Sequence, residues 1–221
     1  MSQSHIVVEP PFYPNLPDES HCLEACVKMI VEAIPPFTKM DYQEINELTG
    51  KTHLTVKYSW PLKLYLELNR IGYEVSVIES FDYESFVDDP ESYLIDNYGD
   101  EVGKDQIENS DLANETFYAK KLIESKTVKL INKTPEFQDI FDTLSSGFLV
   151  ICNVNQKILQ GDDGYIGHSI VIYGFGNNVL YVHNPGPPYR AKQTLALALF
   201  DKAWSYPSNN SRNILAVRSS V

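Results

Sequence analysis

The sequence predicts an α+β fold, in which helices come first and an antiparallel sheet follows. Helix signals, namely apolar residues at three- and four-residue spacing behind capping residues, fall mostly in the first half of the chain. Short apolar runs of strand length dominate from about residue 126. Helices and strands do not alternate as they do in parallel α/β folds. A chain of 221 residues with 43% hydrophobic residues suits a single domain, residues 1–221, with a sizeable core.

The first predicted helix begins at Cys22 and runs to about residue 34. Apolar residues recur along it at helical spacing and form one buried stripe: Ala25, Cys26, Met29, Ile30 and Ala33. Asp18, Glu19 and Ser20 supply capping oxygens and negative charge before the helix, and Pro35-Pro36 ends it. A thiol in the first turn lies at the positive end of the helix dipole, which favours the reactive thiolate. Cys22 also extends the apolar stripe, so a structural role in the core is the alternative interpretation.

Caps and periodicity predict the elements between this helix and the middle of the chain: an extended, proline-rich stretch over 1–17, helices over 42–48 and 60–71, and a strand over 73–78. Asp41 and Glu44 form a capping box for the first of these helices, and Gly50 follows its end. Ser59 caps the second helix, and Gly72 closes it.

An acidic segment follows. Residues 79–115 contain thirteen acidic residues and one lysine, so this segment accounts for the net charge of −12 of the whole chain. Its hydrophobic periodicity is poor, which predicts a solvated insertion at about 79–118, with some helix over 117–124. The functional alternative is a surface that attracts a basic partner or a cationic peptide. Nucleic acid is not expected as a partner, because no basic stripe is present to neutralise phosphates.

The second half of the chain contains most of the predicted strands: 127–131, 148–154, 169–173, 179–183 and 214–217. A helix is predicted to begin at Thr134-Pro135, with threonine as the cap and proline in the first turn, and to end near Leu144. A short helix over 200–204 precedes the last strand.

Several classes of protein are disfavoured by the composition. No basic segment followed by an apolar one opens the chain, so no signal peptide is expected, and the longest apolar runs are too short to span a membrane. Three cysteines do not suggest a disulfide framework, so we expect a soluble, cytoplasmic protein. A cysteine pair within one helix is not a usual zinc site, and neither a metal nor a cofactor is expected. The sequence does not define the oligomeric state.

A nucleophilic cysteine needs a base, and five histidines are candidates: His5, His21, His53, His168 and His183. His168 opens a predicted strand, where its side chain can face a cleft. If a five-residue loop, 174–178, joins the two strands, His168 pairs directly with Asn184, with the two Cβ atoms about 5 Å apart. An asparagine there could hold one imidazole nitrogen and leave the other for the thiol. A two-residue Asn177-Asn178 turn would instead place Pro187 opposite His168.

The same residues carry a family resemblance. The blocks involved are Cys22-x-x-Ala25-Cys26-x-x-Met29-Ile30, Leu149-Val-Ile, Gly167-His-Ser-Ile-Val-Ile-Tyr-Gly, Tyr181-Val-His-Asn-Pro-Gly and Phe200-Asp-Lys-Ala-Trp. In order and spacing they resemble papain-like cysteine peptidases, and most closely the double-glycine leader (bacteriocin-processing) peptidase domains. The resemblance covers most of the chain apart from the acidic insertion. It implies a papain-like fold, with Cys22 as nucleophile on an N-terminal helix and His168 and Asn184 on the C-terminal sheet.

The chain departs from this family pattern at three points. Family members usually have Asp-Cys-Gly where this chain has His21-Cys22-Leu23, and an aspartate where it has Asn184. The oxyanion-hole glutamine that usually precedes the cysteine is absent. Asn15, one methylene shorter, is the nearest candidate, and its alternative role is to cap a turn beside Pro14. An altered oxyanion hole or a substrate other than a peptide is consistent with these departures.

The sequence therefore predicts a cysteine-dependent hydrolase, a peptidase or amidase that works through a thioester acyl-enzyme. The expected catalytic residues are Cys22, His168, Asn184 and Asn15, and the expected substrate is a peptide or amide, basic ones included. One alternative is an acyl- or amine-transferase with the same triad. The other is a degenerate domain that only binds peptides.

Overall fold

A computed structural model describes residues 4–51, 58 and 60–220 of the chain, and they form an α+β fold, as the sequence predicts. The helices of this part are α1 (Cys22–Ala33), α2 (Tyr42–Thr49), α3 (Leu62–Arg70), α4 (Tyr83–Asp88), α5 (Pro90–Asn109), α6 (Leu112–Glu124), α7 (Phe137–Ser145), α8 (Gln156–Gln160) and α9 (Leu197–Trp204). Its strands are β1 (His5–Ile6), β2 (Tyr73–Glu79), β3 (Lys129–Asn132), β4 (Leu149–Asn155), β5 (Gly167–Gly176), β6 (Val179–Asn184), β7 (Arg190–Ala196) and β8 (Asn213–Ser219).

The described strands form one sheet in the order β3-β2-β8-β4-β5-β6-β7, and β1 pairs with β5 at one end of that strand. The strands that carry His168 and Asn184 pair antiparallel with their neighbours, as predicted, whereas β2 and β3 run parallel. Parallel neighbours need a long crossover, and helices α4, α5 and α6 supply it. The first half of the chain therefore contributes a strand, β2, to the interior of the sheet.

Helices cover both faces of this sheet. Along β5, Val171 and Tyr173 pack into the core that contains α1 and the other helices of the first half. Ile170 and Ile172 point to the opposite face and pack into the core beneath α7 and α9. This alternation follows from the two-residue period of a strand. The cysteine helix thus packs directly on β5, the strand that carries His168.

The acidic segment, predicted as a solvated insertion with little periodicity, folds into α4, α5 and the start of α6. Asp82, Asp89 and Asp111 each accept backbone N–H groups at a helix start, so part of the negative charge caps helices. Pro90 occupies the first position of α5. Gly99 interrupts α5 with a φ of 75°, which breaks the apolar periodicity there. The aspartate caps are the signal that sequence reasoning could have used.

Other boundaries agree with their local signals or shift by a few residues. Around α2, the Asp41–Glu44 capping box and the left-handed Gly50 are present as predicted. Helix α3 begins at Leu62, and its predicted cap, Ser59, lies outside the described residues, as does His53. Helix α7 begins at Phe137, and its N-cap is Glu136 rather than Thr134, because Glu136 and Asp139 form a capping box with each other's backbone N–H. Within the described residues, no helix combines the length and apolar composition needed to cross a bilayer.

The sequence analysis did not predict three short elements, namely β1, α8 and β7. Strand β7, for example, has the sequence Arg-Ala-Lys-Gln-Thr-Leu-Ala and is mostly exposed at the sheet edge, so it lacks the apolar alternation of a buried strand.

The five-residue hairpin loop predicted between β5 and β6 is also wrong. The turn has two residues, Asn177 and Asn178, and Gly176 pairs with Val179. A bulge at Tyr173 then shifts the register by one, so that Ile172 pairs with Val182. Gly174 lies beside this bulge, and a Cβ there would come within 2.5 Å of the His5 carbonyl oxygen on β1. The close approach of β1 therefore requires glycine at this position.

Candidate active site

Helix α1 begins at Cys22, and the residue that caps its start, Asn15, lies six positions before the N-cap residue. The Oδ1 atom of Asn15 accepts the backbone N–H of His21, the N-cap residue, at 2.8 Å. The predicted cap, residues 18–20, does not act on the helix: Asp18 instead binds the backbone N–H of Ser20 and the His21 ring. The Cys22 N–H lies in the first turn, where backbone N–H groups have no acceptor within the helix.

The thiol of Cys22 lies against β5. Cys22 and Ser169, the residue after His168, line the same cavity. Burial raises the pKa of the Cys22 thiol, and the backbone N–H and hydroxyl of Ser169 together with Lys51 oppose the rise without cancelling it. The expected lowering of this pKa by the helix dipole is therefore wrong, because packing the helix start on the sheet removes water from the sulfur.

Exposure nevertheless separates Cys22 from the other two cysteines. Cys22 is half-buried, whereas Cys26 and Cys152 have no exposed surface. Burial raises the pKa of both of those thiols well above its ordinary value. Cys22 is thus the cysteine that a substrate or reagent can reach.

His168 and Asn184 form a buried hydrogen-bonded pair. The Nε2 atom of His168 lies 2.8 Å from Oδ1 of Asn184, and the same oxygen accepts the backbone N–H of Gly186 at 2.9 Å. Because the Gly186 N–H needs an acceptor, the orientation of the Asn184 amide is determined. An acceptor oxygen requires that Nε2 of His168 carries hydrogen, so in the neutral ring Nδ1 is the basic nitrogen.

The strand register explains how this pair meets. Val171 pairs with His183, and the same register continued along the strands places His168 opposite Gly186. Asn184 is then a diagonal neighbour, two residues from the direct position and on the same face. The direct pairing predicted from the sequence is wrong, but the two-residue error keeps both side chains on one face and the contact forms.

Asn15 fastens the start of α1 to the segment after Asn184. Its backbone N–H donates to the Pro185 carbonyl at 2.8 Å, and its Nδ2 donates to the Gly186 carbonyl at 3.1 Å. Gly186 has a φ of 75°, and a Cβ there would overlap the backbone of the following residues. A single asparagine thus ties the cysteine helix to the turn that orients Asn184.

Burial lowers the pKa of His168 to about 4, although the hydrogen bond that its Nε2–H donates to Asn184 opposes the shift. The imidazole is therefore neutral at pH 7. With the pKa of Cys22 raised, the resting groups are a protonated thiol and a neutral imidazole. Any proton transfer between them has to accompany the attack on a substrate.

Lowering the pH from 7 to 4 is expected to destabilise the fold through His168. Between its ordinary pKa of 6.5 and the folded value of about 4, the unfolded chain binds a proton that the folded protein does not. The stability that the folded protein keeps by holding His168 neutral is complete above pH 6.5 and is lost as the pH falls through 4. This contribution to the unfolding free energy is about 3 kcal/mol. Burial raises the pKa of Glu79 to about 7 and that of Glu115 to about 8, so these groups act in the opposite direction.

The measurement that isolates His168 is urea unfolding of the unmodified chain and of His168→Gln across this pH range. The difference between their unfolding free energies should change by about 3 kcal/mol from pH 7 to pH 4. Parallel curves for the two proteins would contradict the assigned shift.

A cavity of about 220 Å³ opens beside the thiol. Cys22, Ser169 and Asn153 line it, and the Ser169 hydroxyl donates to Oδ1 of Asn153 at 2.8 Å. His168, Asn184 and Asn15 are not among the described lining residues. The predicted site residues thus fall into two groups: Cys22 faces the cavity with Ser169, whereas the buried His168–Asn184 pair lies one residue along β5, on the strand face that alternates with the one toward α1.

Two parts of this site were missed by sequence reasoning. Ser169 occupies an inward position of a buried strand, in alternation with Val171 and Tyr173, and a polar residue at such a position is a usable signal. The acidic segment also lines the cavity, through Leu94, Tyr98, Val102 and Gln106 of α5. It therefore forms a wall of the candidate site.

No family model and no curated protein matches the sequence. Several solved structures are similar to it. The peptidase domain of Streptococcus ComA, a bifunctional ABC transporter involved in a quorum-sensing pathway, has 13% identity and a TM-score of 0.49, over 97% of this chain and 99% of that one. A protein described as a C39-like peptidase from Bacillus anthracis has 14% identity and a TM-score of 0.47, over 99% of this chain and 100% of that one.

Proposed function

We propose that the protein is a cysteine-dependent hydrolase that cleaves a peptide or amide through a thioester acyl-enzyme. The observation that carries the proposal is the hydrogen bond between His168 and Asn184, next to Ser169, the strand residue that lines the cavity with Cys22. A reachable thiol, a neutral imidazole with a defined basic nitrogen and a group that orients the ring are the three parts of a nucleophilic triad.

In the proposed reaction, the sulfur of Cys22 attacks the substrate carbonyl carbon while Nδ1 of His168 takes the thiol proton. The carbon–nitrogen bond then breaks, and His168 returns that proton to the departing amine. Water attacks the resulting thioester, again giving a proton to Nδ1. The acid leaves, and the proton returns to the sulfur. Asn184 accepts the hydrogen bond from Nε2–H throughout, so that Nδ1 remains the nitrogen that takes up and releases the proton.

Negative charge develops on the carbonyl oxygen in both steps and requires donors that are already in place. The backbone N–H of Cys22 is the first donor in the proposal, because it lies in the first turn of α1. The second is the N–H of the Asn15 amide that the Gly186 carbonyl does not use. Because Asn15 also holds the start of α1, it serves both as a donor and as a positioning residue.

The test is to trap the acyl-enzyme. The protein is mixed with a panel of peptide thioesters and peptide arylamides, quenched in acid and examined by intact-mass and peptide-mapping mass spectrometry. We expect an added acyl mass on Cys22 that hydroxylamine removes, and no such adduct on the Cys22→Ala protein. No adduct across the panel, or an adduct on Cys26 instead, would contradict the proposal.

A further inference from the structure

We infer that the acyl group taken up by Cys22 carries a positively charged side chain, an ammonium or a guanidinium, which binds in the cavity against Glu79 and the aromatic rings around it. This inference rests on the proposed function and adds its substrate class.

The aromatic rings form one part of the cavity wall. Tyr65, Phe81 and Tyr98 all line the cavity, and Trp60 packs edge-on against Phe81 with ring centroids 6.2 Å apart. These residues come from α3, from the segment after β2 and from α5, so the acidic segment helps to build this wall. Faces of tyrosine, phenylalanine and tryptophan attract cations, most strongly where water is excluded.

Glu79 supplies a carboxylate at the same place. It lines the cavity at the end of β2, and its charge acts on the hydroxyls of both Tyr65 and Tyr98. The Tyr83 hydroxyl donates to its Oε1. Among the ion pairs of the described residues, none includes Glu79. A cationic group of the substrate would therefore be an ion-pair partner for Glu79. Burial raises the pKa of Glu79 to about 7, so this group is partly protonated at neutral pH, and a bound cation would stabilise its ionised form.

Two further acidic residues, Glu19 and Glu24, line the cavity. Glu24 is fully buried, and its Oε1 accepts the Thr49 hydroxyl at 3.0 Å while Oε2 is buried without a hydrogen-bond partner. Arg212 is the one cationic residue among the described lining residues, and Asp201 pairs with it at 2.7 Å. With thirteen acidic residues in 79–115, the whole region attracts cations.

The experiment compares peptide arylamides that differ only in one side chain, placed at either of the two residues before the scissile bond. Lysine and arginine are compared with norleucine, which matches lysine in length without its charge, and with glutamate. We expect kcat/KM to be about tenfold higher for the cationic substrates than for norleucine. Glu79→Gln, which can still accept from Tyr83, should reduce this preference to near unity.

Glu115→Gln is the matched control. Glu115 is a buried glutamate with an unpartnered Oε2, and it is not among the described residues that line the cavity. This variant should keep the full preference for cations, and so should Tyr98→Phe, whereas Tyr98→Leu should weaken the preference. Equal kcat/KM for lysine and norleucine substrates, or a preference that survives Glu79→Gln, would overturn the inference and leave the hydrolase proposal standing.

A second measurement does not depend on turnover. Cys22 is modified with methanethiosulfonates that carry an ammonium, a methyl or a sulfonate group, and the rates are normalised to those of free cysteine. The ammonium reagent should react about tenfold faster than the neutral one, and Glu79→Gln should remove that difference while Glu115→Gln keeps it. If no substrate is hydrolysed but this pattern appears, the hydrolase proposal fails and cation binding is retained. If the normalised rates do not depend on charge, the inference is overturned.

Discussion

Replacing Cys22 with serine is expected to lower kcat/KM for the best peptide arylamide by about 10⁴-fold or more, as loss of the nucleophile does in enzymes that form an acyl intermediate. The serine side chain is nearly isosteric, so α1 should still pack on β5. Its hydroxyl, however, is a far weaker nucleophile than a thiol. Steady-state kinetics, with folding checked by circular dichroism, measures the effect.

The controls for this substitution are Cys26→Ala and Cys152→Ala. Both residues are fully buried cysteines, one on α1 and one on β4. Removing either thiol should cost stability by leaving a small cavity while turnover per folded molecule stays within a few-fold. Turnover that survives in Cys22→Ser, or that is lost equally in Cys26→Ala, would show that Cys22 is not the nucleophile and would favour a domain that only binds peptides.

Replacing His168 with glutamine is expected to lower kcat by about 10³-fold, because the general base that takes the thiol proton is lost. Asn184→Ala should have a smaller effect in the same direction. It leaves the ring of His168 unheld and the Gly186 N–H without its acceptor. Asn184→Asp keeps an acceptor oxygen and should retain more activity than the alanine variant.

His183→Gln is the matched control for this series. His183 is a fully buried histidine on β6, and its ring contacts the Pro10 carbonyl at 2.9 Å and the Lys192 N–H at 3.0 Å. Its loss should reduce stability with little effect on kcat of the folded fraction. Equal kcat losses in the two histidine variants would mean that His168 serves the fold rather than the chemistry.

The contact between His168 and Asn184 could be predicted from the sequence, although the register of the strands β5 and β6 that carry them could not. The number of residues in the turn is a local property that Asn177-Asn178 suggested, but the bulge at Tyr173 depends on β1, which meets Gly174 from the other end of the chain. The prediction succeeded because strands alternate with a period of two, and an error of two residues preserves the face.

The residue that caps the cysteine helix, by contrast, was predicted wrongly from the local sequence. Residues 18–20 have the composition of a cap, yet Asn15 caps the helix because its backbone and side chain are also held by Pro185 and Gly186. The acidic segment is a similar case. Its net charge predicted a solvated insertion, whereas the segment forms α4–α6, and its tyrosines and phenylalanines pack against the core and line part of the cavity. Net charge over a window does not reveal which side chains face inward.

Features that arise within a few residues could be read from the local sequence: the α2 capping box, the strand alternation of β5, the α+β order, and a cysteine at a helix start. The raised pKa of the Cys22 thiol, the neutral state of His168 at pH 7, and the cavity that Ser169 and Glu79 share with the thiol become visible only in the folded chain. All three depend on desolvation. A pKa and a cavity depend on which distant segments exclude water from a group, and residues on β2, α3, α5 and β5 meet only when the sheet and its helices have assembled.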